Sequence, residues 1–140
     1  MTTVRQVGIV GVGLMGHGIA SSLLRAGHQV SFLEHPGNQP VEDLLAAGAT
    51  ALSAGSEVAK SAHVVILCVT GSPQVEAVLF EPNGVLDGLK PGCVVVDCST
   101  ALPSSTEKVA ARVTDAGGRF MDAAMTRTPK EAAEGRLNLI

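Results

Sequence analysis

A strand, a glycine-rich turn and a helix fill the opening of this chain, and their order constrains the fold more than any other feature. Residues 9–20 read IVGVGLMGHGIA, with Gly11, Gly13 and Gly16 at G-x-G-x-x-G spacing. The stretch 4–10 (VRQVGIV) reads as a strand ending at Val10. In 14–27, Met15, Ile19, Leu23 and Leu24 recur near helical spacing, and Gly27 is a stop. A second strand follows at 29–34 (QVSFLE). The whole occupies about 30 residues, the size of one βαβ unit.

The same alternation continues along the chain. Helical patterns are expected over 40–48, 56–62, 72–80 and 103–117, and strands over 49–52, 63–69, 93–99, 118–123 and 136–140. Ser72 and Pro73 mark a helix start, while 83–92 (NGVLDGLKPG) reads as turn. The run HVVILCV is almost wholly apolar, as expected of a strand covered on both faces. Strands alternating with helices over short connections predict parallel pairing with right-handed crossovers. The expected fold is therefore α/β, a doubly wound, mostly parallel sheet of the Rossmann type, in one domain over 1–140.

In such a unit each glycine has its own task. Gly11 permits the sharp turn out of the strand, Gly13 lets backbone approach a pyrophosphate, and Gly16 brings the helix close to the sheet. Phosphates then meet free N–H groups at the positive end of the helix. An acid is expected about 20 residues further on, to accept hydrogen bonds from the adenosine ribose. Glu34 closes the second strand at that distance, and no Arg or Lys lies in the following HPGNQPVEDLL to hold a 2′-phosphate. The pattern predicts a dinucleotide site that takes NAD in preference to NADP, with His35 beside Glu34 in the cofactor group.

Several segments in order resemble the N-terminal half of the β-hydroxyacid dehydrogenases, the group of 3-hydroxyisobutyrate dehydrogenase and tartronate semialdehyde reductase. These are GIVGVGLMGHGIASSLLRAGHQV, VVILCVTGSPQVEAVLF, VVVDCSTALPSST and RFMDAAMTRTPKEAAEGRLNLI. The resemblance implies reversible oxidation of a small 3-hydroxy acid to its semialdehyde. It implies that Gly11, Val12, Gly13, Leu14, Met15 and Gly16 line the pyrophosphate, that Val69 and Thr70 lie against the cofactor, and that Thr100 sits near the nicotinamide ribose. Thr126, Arg127 and Thr128 fall where the family binds the substrate carboxylate. There the family's common S-G-G is replaced by T-R-T. A guanidinium suits two-point binding of an anion, so a substrate with a second or stronger anionic group is one expectation, as in sulfolactaldehyde reductase relatives. Thr128, Pro129 and Glu131 also spell a capping box at a helix start.

The family's catalytic Lys and a nearby Asn belong to a helical C-terminal domain, expected to follow residue 140. No catalytic residue is therefore assigned here, and the segment alone is expected to bind NAD weakly and turn over little. Competing readings are a stand-alone nucleotide sensor, which would have no need of 122–131, and a 6-phosphogluconate dehydrogenase.

Composition excludes other classes. The formal net charge is −3 with no basic cluster, so neither nucleic acid nor an anionic membrane is an expected partner. The longest wholly apolar run, residues 64–69, is far short of the roughly 20 residues of a membrane span, and no signal peptide is visible. Cys68, Cys93 and Cys98 read as reduced core thiols of a cytoplasmic protein. Of the four histidines, His17 is expected on a helix surface, and His28 and His63 are expected to face solvent. No two have metal-ligand spacing, so no metal is expected. A homo-oligomer is expected for the full-length enzyme.

Overall fold

The computed structural model describes residues 3, 5–126 and 128–139. Its elements are β1 (Gln6–Val10), α1 (Leu14–Arg25), β2 (Gln29–Leu33), α2 (Glu42–Ala46), β3 (Thr50–Leu52), α3 (Gly55–Lys60), β4 (Val64–Leu67) and α4 (Ser72–Phe80). There follow α5 (Val85–Gly88), β5 (Val94–Asp97), α6 (Pro103–Asp115), β6 (Arg119–Asp122), β7 (Met125–Thr126), α7 (Pro129–Ala133) and β8 (Asn138–Leu139).

Six strands form one sheet in the order β3-β2-β1-β4-β5-β6, every pair parallel. The chain leaves β1 toward β2 on one side and returns to β4 on the other. That reversal is the topological switch point, and it leaves a crevice outside the carboxyl ends of β1 and β4.

Two apolar layers hold the sheet. On one face Val65, Leu67 and Val95 pack with Val58, Leu79, Val85, Val109 and Val113 of α3–α6. On the other, Ile9, Val30 and Phe32 pack with Ala20 of α1 and Leu44 of α2. With aromatics at 2% of the chain, close packing of branched aliphatic side chains fills the core, and Phe32 is its largest fully buried member.

The second face is less covered than the apolar run of β4 predicts. In β4 and β5 burial alternates, Val65, Leu67 and Val95 being buried while Val64, Ile66, Val94 and Val96 are half-buried. The helices α1 and α2 lie in the crossovers joining β1, β2 and β3, and Ile19, Leu23 and Ile66 are only partly buried against that layer. A groove of about 210 Å³ remains there, lined by Ile19, Leu23, Ile66, Val96, Cys98 and Leu137.

Other departures are local. The expected helix 40–48 shortens to α2, because Val41 at its N-cap leaves helical geometry (φ −112°, ψ 4°). The turn 83–92 contains the single turn α5. Of the expected strand 136–140, residue 140 lies outside the described residues and β8 begins only at Asn138; it pairs antiparallel with β7, a strand the sequence reading did not foresee. None of the helices among the described residues is long and apolar enough to cross a membrane.

Candidate functional site

The crevice at the switch point is a cleft of about 410 Å³. Its walls bring together Gly11, Val12, Gly13 and His35 on one side with Val69 and Thr70 on the other. Those six were expected to meet a cofactor. Cys68, Gln74, Asn38 and Glu81 also line it.

The glycine loop explains its own composition. Gly11 sits at φ +101°, and a Cβ there would stand 2.2 Å from the Cys68 carbonyl oxygen. A Cβ on Gly16 would stand 1.9 Å from the Gly11 carbonyl oxygen. Both positions are closed to side chains by backbone. Gly13 differs, since a Cβ there would meet nothing within 4 Å. The space in front of Gly13 is open.

The start of α1 faces that space without a side-chain cap. Its first helical bond runs from the His17 N–H to the Gly13 carbonyl, 2.9 Å. The N–H groups of Leu14, Met15 and Gly16 therefore have no intrahelical acceptor. Three amides with the positive end of a twelve-residue helix behind them suit a pyrophosphate. The open cradle at Gly13 and the unpaired amides fit the phosphates of a dinucleotide.

Asn38 supports this loop, and sequence reasoning missed it. Its side-chain Oδ1 accepts the Val12 N–H at 3.3 Å, and its Nδ2 donates to the Leu33 carbonyl at 3.0 Å. Beside it the Gln39 N–H donates to the Val12 carbonyl at 2.8 Å. The segment after β2, which carries Glu34 and His35, is thereby tied to the glycine loop. Glu34 is exposed at the end of β2 and its N–H donates to Leu52. Its neighbours Leu33 and His35 line the cleft, whereas Glu34 stands outside the lining. The His35 imidazole accepts the Gly37 N–H at 2.9 Å, which shapes the turn.

The far wall is braced between β4 and β5. The Val69 N–H donates to the Ser99 hydroxyl at 2.9 Å, and the Ser99 N–H donates to the Asp97 carboxylate at 2.9 Å. Asp97 is almost fully buried. Burial pushes its pKa up, the Ser99 amide and hydroxyl pull it down, and the neighbouring Asp122 pushes it up again. Thr100 is exposed and lies outside the cleft lining, with its carbonyl near Gly71.

Leu14, Met15 and Gly16 also stand outside the lining. Leu14 is 62% exposed and faces a neighbouring hollow with His17 and Asp43. The His17 imidazole and Asp43 carboxylate meet at 3.0 Å and join α1 to α2, and this contact lowers the Asp43 pKa. His28 and His63 accept the N–H groups of Arg5 and Gln6 at 3.1 and 3.2 Å. No cluster of three metal-ligating side chains occurs among the described residues.

Of the expected substrate residues, Thr126 lies half-buried in β7 and Thr128 is exposed at the start of α7. Arg127 lies outside the described residues. The capping box forms, with the Thr128 N–H donating to the Glu131 carboxylate at 3.2 Å. The helix α7 docks on α1 at Gly18, where a Cβ would stand 2.8 Å from the Ala133 nitrogen and 2.9 Å from the Ala132 Cβ. A Cβ on Gly135, just past α7, would meet the Ser22 hydroxyl at 2.8 Å. The two helices thus run the same way, and the start of α7 points to the glycine-loop end of α1.

Comparison with known proteins agrees with this geometry. Residues 6–140 match the family described as the NAD binding domain of 6-phosphogluconate dehydrogenase. The chain is 35% identical over 136 residues to 2-hydroxy-3-oxopropionate reductase of Escherichia coli, covering 96% of this chain and 46% of that protein. It is 34% identical over 134 residues to 3-sulfolactaldehyde reductase of the same organism, covering 96% and 45%. Among solved structures, 3-hydroxyisobutyrate dehydrogenase from Salmonella typhimurium superposes with a TM-score of 0.88 at 34% identity, covering 96% of this chain and 47% of that one. The chain spans about half the length of the curated relatives it matches. It belongs to the family of the NAD binding domain of 6-phosphogluconate dehydrogenase and is similar over nearly its whole length to the β-hydroxyacid dehydrogenases.

Proposed function

We propose that this chain is the cofactor-binding part of an NAD-dependent dehydrogenase that interconverts a small 3-hydroxy acid and its semialdehyde. The observation that carries the reading is the open space at Gly13 before the unpaired amides of Leu14, Met15 and Gly16. When bound, the nicotinamide supplies or accepts the hydride. The chain's own residues bind and orient. Leu14, Met15 and Gly16 donate their N–H groups to the pyrophosphate. Glu34 accepts hydrogen bonds from the adenosine ribose, and its charge repels a 2′-phosphate. Val69 and Thr70 set one wall, while Thr100 flanks the nicotinamide ribose. Thr126, Arg127 and Thr128 receive the substrate carboxylate, and Arg127 extends the substrate range toward dianions. No residue of 1–140 is assigned to move the carbonyl proton.

The test is titration of the full-length protein with NAD and NADP, followed by turnover assays on several 3-hydroxy acids, one of them sulfonated. Tighter binding of NAD and turnover of at least one 3-hydroxy acid are expected. Preference for NADP refutes the role of Glu34, and failure to bind either dinucleotide refutes the whole reading. Arg127→Gly should weaken a dianionic substrate more than a monoanionic one, and equal losses remove its role.

A further inference from the structure

Two thiols lie at the foot of the glycine loop, and the proposed chemistry uses neither. Cys68 and Cys98 follow directly on β4 and β5. Leu67 and Asp97 are register partners in the parallel pair, and the Cys98 N–H continues the ladder to the Leu67 carbonyl at 2.9 Å. The two cysteines therefore stand side by side. Alternation along the strands puts both on the face of Ile66 and Val96. Both are free thiols, and each acts on the other's titration, raising the Cys68 pKa and lowering that of Cys98. Neighbouring strands run about 4.8 Å apart, inside the Cα separation of about 4.4–6.8 Å that a disulfide spans. Cys93 is buried at the opposite end of β5.

Cys68 is half-buried and Cys98 is buried at the wall of a groove, within reach of a molecule as small as a hydroperoxide. Cys98 opens on the apolar groove, while Cys68 lines the cofactor cleft. The glycine loop also rests on Cys68. The Cys68 carbonyl fills the space beside Gly11, and the Cys68 Cβ lies 3.6 Å from where a Cβ on Gly16 would stand.

We propose that Cys68 and Cys98 form an oxidation site, which a hydroperoxide closes to an intrachain disulfide that weakens dinucleotide binding through the glycine loop. The Cys98 sulfur attacks the peroxide O–O bond, which breaks, giving a sulfenic acid and, from hydrogen peroxide, one water. The Cys68 sulfur then attacks the sulfenic sulfur. An S–S bond forms, the S–O bond breaks, and a second water leaves with the Cys68 proton. Two thiols lose two electrons and two protons in all, and the peroxide is reduced to two waters. A dithiol reverses the change by exchange. Closure draws the Cβ atoms to about 3.8 Å apart and moves the Cys68 backbone beneath Gly11 and Gly16. The amides of Leu14, Met15 and Gly16 then lose alignment with the pyrophosphate, at a cost of about tenfold in Kd, the weight of one charge-assisted hydrogen bond.

The test treats the full-length protein with hydrogen peroxide under native conditions. The remaining thiols are alkylated in denaturant, and the digest is read by mass spectrometry. A peptide joining Cys68 to Cys98 is expected, with Cys93 alkylated. The Kd for NAD should rise about tenfold and recover with dithiothreitol. Cys98→Ser should show neither the joined peptide nor the peroxide effect. Two alkylatable thiols at 68 and 98 after treatment, or a sulfinic acid at Cys98 without the crosslink, overturns the proposal. A crosslink with unchanged Kd overturns the coupling to the loop. The mass measurement needs no NAD, so it stands apart from the test of the dehydrogenase reading.

Discussion

Alanine at Gly13 and alanine at Gly16 should produce opposite profiles, because the two glycines face different things. At Gly16 a Cβ would stand 1.9 Å from the Gly11 carbonyl oxygen. Restoring an ordinary 3.4 Å contact requires a shift of about 1.5 Å between the first turn of α1 and the loop. Such overpacking costs about 1–3 kcal/mol, and a backbone obstacle places Gly16→Ala at the upper end, about 10 °C in Tm for a chain of this size. At Gly13 the new methyl meets nothing, and φ is −78°. The gain from a stiffer unfolded chain, about 0.4–1 kcal/mol, offsets the poorer N-cap, about 1 kcal/mol. Gly13→Ala should stay within about 1 kcal/mol of the parent. Its methyl, however, stands where the pyrophosphate approaches, so the Kd for NAD should rise about 10- to 100-fold, or about 1.4–2.8 kcal/mol. The chain has no Trp or Tyr, so far-UV circular dichroism follows unfolding and calorimetric titration follows binding. Gly13→Ala that unfolds as early as Gly16→Ala, or that binds NAD as the parent does, would refute the assignment of that space to phosphate.

Asn38→Ala removes the acceptor for the Val12 N–H and the donor to the Leu33 carbonyl. It should cost about 1–2 kcal/mol in urea unfolding and weaken NAD binding, and a variant indistinguishable in both would show that the clasp is idle. Asp97→Asn tests the buried carboxyl, whose folded pKa is raised chiefly by burial. A raised value favours the folded state below the ordinary carboxylate range, and that advantage is lost as pH rises through the folded value. Stability of the parent relative to Asp97→Asn should therefore fall on going from pH 3 to pH 7, and a flat or rising difference contradicts the sign.

The six-stranded parallel sheet was legible because its strands are short, apolar and separated by helix caps and glycines. The glycine loop was legible because its spacing encodes a steric requirement that Gly11 and Gly16 meet in the structure. What escaped has no local signal. Asn38 contacts the backbone of Val12, 26 positions away, and any loop Asn looks the same in sequence. Asp97 and Ser99 sit in the DCST stretch that was read, yet their bracing of Val69 depends on strand register rather than on order along the chain. The strand β7 is two residues long, too short for periodicity to register. The apolar run of β4 suggested cover on both faces, but burial depends on what the neighbouring helices cover, and Val64 and Ile66 stay half-buried.

The seam between α1 and α7 has a mechanical consequence. With Gly18 seated against Ala132 and Ala133, the amide-bearing tip of one helix and the Thr128 end of the other cannot drift independently. The gap between them is preset before any small molecule arrives, like the jaws of a locked caliper. A cofactor at one end and a substrate at the other, as proposed above, would pay little ordering entropy to meet. A bulkier residue at Gly18 would open the jaws without touching either occupant.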